Sequence, residues 1–403
     1  MFLTSSLFRP SSIITVIPMS STPPSDSELL AALEKHLEAN PNDAAGWNMK
    51  GVLLAKRAEF GAALRSLDTA IRIKSDLPEA HTNRGRVLMA LGPEKASEAL
   101  RSFDRALELS PKNLDALVDK AAALRTLGRA EEELACIEIL CNERPDEPRF
   151  WTRKGDLETE LGRMSDAVSS YDRVLSISPD SATVLVHRAV ALAILERFKD
   201  ALKSAESASK LSPDDVGAWR VLADVNLRAE RYGAAMKALE RAAVLNPTDA
   251  SIENTMGMVS YKSHDTKTAI THFERAAMID KHHRSALKNL GFIYMELEDW
   301  EAAVKAWNRL TSFLKDDPAV WDAKATTHAR LEDFCSAADA WENARRHYRQ
   351  TGDEKEAQRV AVLGRAARIN CARQKRAAKA QREHEKATRT FSDRFEMRRK
   401  KGQ

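Results

Sequence analysis

A 34-residue period runs through most of this 403-residue chain and leaves few folds open to it. Trp47, Trp151, Trp219 and Trp321 set its phase. Units then begin at 44, 78, 114, 148, 182, 216, 250, 284 and 318. Their bounds are 44–77, 78–113, 114–147, 148–181, 182–215, 216–249, 250–283, 284–317 and 318–351. Only the second is longer, by two residues in the ALGPEKAS turn around Gly92 and Pro93. An insertion is best tolerated in a surface turn. A period of this length marks an array in which each unit buries its apolar face only against its neighbours.

The chemistry of one unit is legible from the recurring residue types. Position 8 is always small: Gly51, Gly85, Ala121, Gly155, Ala189, Ala223, Gly257, Gly291 and Ala325. Position 20 is alanine everywhere except Glu133. Position 24 is large and apolar in most units, as in Phe103, Tyr171, Phe273, Trp307 and Trp341, and Ala205 breaks the run. Proline stands at position 32 as Pro111, Pro145, Pro179, Pro213 and Pro247. Positions 4, 8 and 11 share one face of a first helix, and 20, 24 and 27 share one face of a second. Small residues at 8 and 20 let the two backbones approach, and bulky residues at 4 and 24 fill the remaining space. Proline at 32 cannot continue the second helix. With only 15 Gly and 14 Pro in the chain, a loop-rich β fold is excluded.

These residues closely resemble the tetratricopeptide repeat (TPR), over residues 44–351. The family pattern has Trp at 4, Gly or Ala at 8, Tyr at 11, Ala at 20, Phe at 24, Ala at 27 and Pro at 32. Departures are local: Tyr294 is the only tyrosine at position 11, and Glu133, Ala205 and Lys281 break the pattern where they fall. The resemblance implies an all-α fold, a right-handed α-solenoid of tandem helix-turn-helix repeats with terminal capping helices.

The ends differ from the repeats. Residues 1–25 hold one Arg and no acid, are rich in Ser, Thr and Pro, and read as a disordered tail. Met19 opens a polar lead into the first helix and is an alternative start. Residues 26–43 carry Leu29, Leu30, Leu33 and Leu37 as an apolar stripe, read as an N-terminal capping helix started by Ser25, Asp26 or Ser27. In residues 352–403, Val360, Leu363, Ala367 and Cys371 lie at helical spacing, predicting a polar-backed capping helix that runs into a basic tail. From Gly364 to Gln403, 14 Lys and Arg face 4 Asp and Glu, a net +10 in a chain of net +4. Arg373, Lys375, Arg376, Lys379, Arg382, Arg398, Arg399, Lys400 and Lys401 make up much of it. Such a run is a solvated end or a contact for RNA, ribosome or another acidic surface, where Phe391 and Phe395 could stack.

Catalytic signatures are missing from the sequence. ALGPEKAS lacks the spacing and ending of a phosphate loop. The one His pair, His282–His283, lies in a turn between units and reads as solvated. Cys136, Cys141, Cys335 and Cys371 include no C-x-x-C, so a zinc site or disulfide framework is not expected, and the cysteines read as free thiols in a reducing compartment. No stretch is long and apolar enough to span a bilayer. The expectation is a cytoplasmic protein without catalytic activity or cofactor.

In the family, positions 2, 5, 9 and 12 line the binding groove. Repeats 1–5 offer a bland set there, with Asn48, Thr82, Arg86, Val118, Arg125, Thr152, Asp156, Val186 and Val190. Repeats 6–8 present Arg220, Asp224, Asn254, Met258, Tyr261, Lys288, Phe292 and Met295. Large apolar residues beside cations predict a groove for a peptide or helix of a protein partner. Asn83 and Asn289 occupy one position of the family's dicarboxylate clamp, but the accompanying Lys and Arg are not in place, so binding to chaperone tails is not implied. Two other expectations stand beside the groove: an RNA- or ribosome-associated factor using the tail, and a hub that self-associates through its ends.

Overall fold

The computed structural model describes residues 25–401, with side chains up to 386. The expectations for residues 1–24, including the start at Met19, lie outside the described residues. Every regular element described is helical, and the chain divides into two compact units at Leu211 and Ser212.

Unit 1 opens with α1 (Asp26–Ala39), then five helix pairs: α2 (Ala44–Lys56) with α3 (Phe60–Ile73), α4 (Pro78–Leu91) with α5 (Ala96–Leu109), α6 (Leu114–Thr126) with α7 (Ala130–Glu143), α8 (Pro148–Glu160) with α9 (Met164–Ile177), and α10 (Ala182–Ile194) with α11 (Phe198–Leu211). Unit 2 holds four pairs: α12 (Val216–Arg228) with α13 (Tyr232–Leu245), α14 (Ala250–Lys262) with α15 (Thr266–Ile279), α16 (Arg284–Glu296) with α17 (Trp300–Phe313), and α18 (Pro318–Arg330) with α19 (Phe334–Gln350). It closes with α20 (Glu354–Lys401). Within each unit every helix packs on its successor, which makes an α-solenoid.

The small residue at position 8 has a direct cause. A Cβ added to Gly85, Gly155, Gly257 or Gly291 would lie 2.4–2.6 Å from the aromatic ring at position 24 of the same pair. Those rings are Phe103, Tyr171, Phe273 and Trp307, all fully buried. The repeat therefore pairs a missing side chain with an oversized one.

Chain ends and turns are fixed by polar contacts. Ser25 alone caps α1, in a reciprocal capping box with Glu28. Asp43, Asn113, Asp215, Asp249 and Asp317 cap first helices with side-chain oxygens. His283 does the same for α16 through Nδ1, and His282 stacks edge-on to Phe313 at 4.8 Å. The pair expected to be solvated is thus used structurally. Each phase-setting tryptophan donates its indole N–H to the carbonyl six residues earlier: Trp47 to Pro41 at 2.9 Å, Trp151 to Pro145 at 3.0 Å, Trp219 to Pro213 at 2.8 Å and Trp321 to Lys315 at 2.7 Å. The two-residue insertion becomes a short 3₁₀ turn, Pro93–Lys95, entered through Gly92 at φ 146°.

The residue closing each first helix is usually left-handed. Gly128 and Gly162 fill this place in two pairs, but Ala58, Glu196, Glu230, His264, Glu298 and Glu332 sit there in six others at φ 57–65°. A side chain in this region costs about 1–2 kcal/mol. Glu298 is exposed. Glu298→Gly is therefore expected to stabilise the protein by about 0.5–1 kcal/mol once the greater freedom of glycine in the unfolded chain is deducted. A higher midpoint in urea would show it.

Two sequence expectations are corrected here. Cys335 and Cys371 form a disulfide, with Cα atoms 5.0 Å apart, joining α19 to α20. A disulfide was not expected because the sequence holds no C-x-x-C pair, and only the antiparallel packing of α20 on α19 brings these two together across 36 residues. Only Cys136 and Cys141 are free, both buried, and burial pushes both thiols up, Cys141 to about 11. The reading of a reducing compartment rested on four free thiols and loses that support. Second, the outer face of α20 is not uniformly polar: Val362 and Ile369 are more than half exposed.

Glu133 also gains an explanation. It is 1% exposed, and both carboxylate oxygens are used. Arg125 Nε and an Arg125 terminal nitrogen donate to Oε1 at 2.9 and 2.8 Å. Arg153 donates to Oε1 and Oε2, each at 2.8 Å. Burial alone would raise this carboxyl, but the hydrogen bonds from Arg153 and Arg125 outweigh it and hold it below the usual range.

Candidate functional site

The first helices of unit 2 carry the predicted groove residues. Arg220 and Asp224 lie on α12, Asn254, Met258 and Tyr261 on α14, and Lys288, Phe292 and Met295 on α16. Between α14 and α16 opens a pocket of about 290 Å³. Met258, Tyr261 and Lys262 line one wall, and Asn289, Phe292, Ile293 and Glu296 line the other, with Phe273 of α15 behind. The α16 set follows i, i+3, i+4, i+7, one flank of a helix.

Three predicted residues meet here. Met258 is 37% exposed, Tyr261 40% and Phe292 46%, so none is consumed by core packing. Phe292 is held from behind, edge-on to Trp307 at a centroid distance of 5.1 Å. The Tyr261 hydroxyl donates to Glu296 Oε2 at 2.6 Å, bridging α14 and α16 at the pocket. That hydrogen bond raises the phenol's pKa, so the donor proton stays in place. Beneath the methionine, Asn289 Nδ2 donates to Asn254 Oδ1 at 3.1 Å, and Asn254 Nδ2 faces Met258 Sδ at 3.9 Å.

The remaining predicted residues are placed differently. Asn254 is buried beneath Met258 and acts as a support. Met295 is half-buried against the core around Trp307 and Ile293, because it lies off the flank that faces α14. Arg220 reaches Asp249 at 3.5 Å and Lys288 reaches Asp317 at 3.9 Å, each the capping aspartate of the next pair. Both cations remain 43–49% exposed, and such long, solvated pairs are weak. Asp224 pairs with Arg228 at 2.7 Å along α12. Sequence reasoning missed Lys262, Ile293 and Glu296, and named Asn289 only at a clamp position, not as part of this pocket. The flank that α16 turns toward α14 depends on how the two helices rotate about their axes, and the period does not fix that rotation.

Unit 1 uses the corresponding positions internally. Asn83 donates to Asn48 at 3.0 Å, repeating the Asn289–Asn254 contact. Arg86 bonds Asp119 at 2.5 Å. Asp156 accepts from Tyr171 at 2.9 Å and pairs with His187 at 3.0 Å. The hydrogen bond to Asp156 raises the pKa of His187. Thr82 and Thr152 donate to the carbonyls of Pro78 and Pro148. These polar groups are satisfied within the unit, whereas the pocket in unit 2 exposes rings and a thioether.

The tail residues Arg373, Lys375, Arg376, Lys379 and Arg382 lie exposed on α20. Lys379 pairs loosely with Glu383 at 3.9 Å. Arg398, Arg399, Lys400 and Lys401 continue the helix, but their side chains, like those of Phe391 and Phe395, lie outside the described residues. No described helix is long and apolar enough to cross a membrane, and no described cluster of three His, Cys, Asp or Glu could hold a metal.

Comparison with known families matches residues 82–140 and 148–181 each to a "tetratricopeptide repeat" and residues 208–321 to the "cytochrome c-type biogenesis protein H TPR domain". The chain belongs to the tetratricopeptide-repeat family. Among similar proteins, Protein FlbA of Caulobacter vibrioides is 23% identical over 39% of this TPR chain and 26% of its own length. The cytochrome c-type biogenesis protein CycH of Rhizobium meliloti is 29% identical over 29% of this chain and 31% of its own. The TPR chain thus spans under a third of either relative. Among solved structures, YrrB, titled a TPR protein with an unusual peptide-binding site, is 23% identical over 47% of this chain and 96% of its own, at a TM-score of 0.43.

Proposed function

We propose that this TPR protein is a non-catalytic scaffold that holds an extended peptide or helix of a partner protein along α12, α14 and α16. The exposed trio Met258, Tyr261 and Phe292 around one pocket carries the reading. A volume of about 290 Å³ suits one bulky apolar side chain of a ligand. Ring and thioether surfaces supply the apolar contact, and methionine adapts to the shape it meets. The amide of Asn289 and the carboxylate of Glu296 stand at the wall, where backbone or a basic neighbour of the anchor would lie. Arg220 and Lys288 can leave their weak partners for an acidic group on the ligand at little cost.

The test is affinity purification of partners with wild-type protein, followed by binding titration of each partner against variants. Phe292→Ala removes the most exposed ring of the trio, and a central anchor of this kind is worth about 2 kcal/mol or more, a loss of about 30-fold. Arg220→Glu together with Lys288→Glu is expected to weaken binding by a smaller factor that shrinks as salt rises. Retention of every partner at wild-type affinity by both variants, with unchanged circular dichroism, would overturn the groove.

A further inference from the structure

The disulfide sits where α20 leaves the rest of the protein. α20 runs antiparallel along α19, and its contacts can be followed in order. Ala357, Val360 and Ala367 are buried, Gly364 lies against Trp341, and Arg368 reaches Glu342 at 3.0 Å. Cys371 then meets Cys335, the second residue of α19. One hydrogen bond follows, from Gln374 Nε2 to the carbonyl of Glu332 at 2.8 Å. There α19 ends, so α20 has no further helix to lie on. Apart from half-buried Cys371, every described side chain from 371 to 386 is exposed.

Non-covalent forces hold this junction poorly. Arg373, Lys375 and Arg376 come beside the N-terminal end of α19, the positive end of its dipole, where cations are unfavourable. No acid lies between residues 371 and 382, and across the junction Asp333 is already held by the backbone N–H of Ser336 and by His328. A helix end without a supporting face frays, and fraying passes inward until a firm contact stops it. The next firm contact inward is Ala367. A covalent bond at 371 therefore decides how far the opening travels.

We propose that Cys335 and Cys371 form a reversible thiol–disulfide site that locks or releases the root of the C-terminal helix. The oxidant is a small-molecule disulfide of the glutathione class. The thiolate of one cysteine attacks it, forms a mixed disulfide and expels one thiolate. The second cysteine then attacks the bonded protein sulfur and expels the other. One protein S–S bond forms, the small disulfide is reduced to two thiols, and these take up the two protons lost by the cysteines. In the oxidised state the exposed cationic stretch 373–382 is carried on a fixed helix, and in the reduced state its root opens.

Full-length protein is equilibrated with oxidised or reduced glutathione, quenched, unfolded and alkylated, and counted by mass. Two of the four cysteines are expected to escape alkylation after oxidation, and peptide mapping should show these to be 335 and 371. Brief trypsin treatment of folded aliquots, taken before the quench, reads the root through cleavage after Arg368 and Arg373. That cleavage is expected to be about tenfold faster in the reduced protein, since it requires local opening. Cys335→Ser/Cys371→Ser should show the fast rate under both conditions. Should that variant fail to fold, the reduced wild type supplies the comparison. Alkylation of all four cysteines after oxidised glutathione, or equal cleavage in the two states, would overturn the proposal.

Discussion

Replacing Glu133 by alanine, the residue found at this place in the eight other repeats, is expected to destabilise the protein by about 3 kcal/mol. Restoring a repeat's usual residue commonly stabilises a protein. Here the sign reverses, because Arg153 and Arg125 are arranged around the carboxylate. Arg153 is only 20% exposed, and alanine would leave its guanidinium half-desolvated with only the exposed Glu160, at 3.2 Å, as a counter-charge. The deletion costs more than the ion pair contributes, since an unpaired buried charge is worse than none. The double variant Glu133→Ala/Arg153→Leu should recover most of the loss. Urea melts of the three variants would check this, and a neutral or stabilising Glu133→Ala would refute it. The same pair gives a pH signature. The folded pKa of Glu133 lies below its unfolded value, so its contribution is present above the unfolded pKa and is lost as pH falls through the folded one. Glu133→Gln should therefore flatten the acid side of the stability profile.

Glu133 also marks the limit of what the sequence shows. The 34-residue period and the Gly–aromatic pairing follow from contacts inside one pair, and these recur at fixed spacing. They were legible for that reason. The partners of Glu133 are eight and twenty residues away, and nothing in a periodic pattern identifies Arg153 as one of them. The Cys335–Cys371 bond is hidden in the same way, since α20 is not a repeat and its register on α19 follows from packing. In the candidate site, Met258, Tyr261 and Phe292 are large side chains left exposed on α14 and α16. Met295 occupies the same repeat position as Tyr261, yet it turns to the core.

Trp307 joins stability to the site, and its removal is expected to have the largest effect of all. The ring is fully buried, closes over Gly291, and backs Phe292. Trp307→Ala should cost about 4 kcal/mol through lost burial and the cavity left behind. It should also weaken ligand binding, because Phe292 would lose the ring that holds it upright. Trp307→Phe is predicted to cost under about 1.5 kcal/mol. It gives up some volume but also removes the indole N–H, which is buried with no partner among the described residues. The coupling to Gly291 is the sharper test. In the wild type, a Cβ at 291 would stand 2.4 Å from the indole, and a ring wedged in a core cannot swing aside. Gly291→Ala should then cost about 1–3 kcal/mol. In the Trp307→Ala background the obstacle is gone, and the same substitution should stabilise by up to about 1 kcal/mol through helix propensity. A double-mutant cycle by denaturant melts measures this change of sign. If Gly291→Ala had the same effect in both backgrounds, the glycine would not be there to make room for the ring.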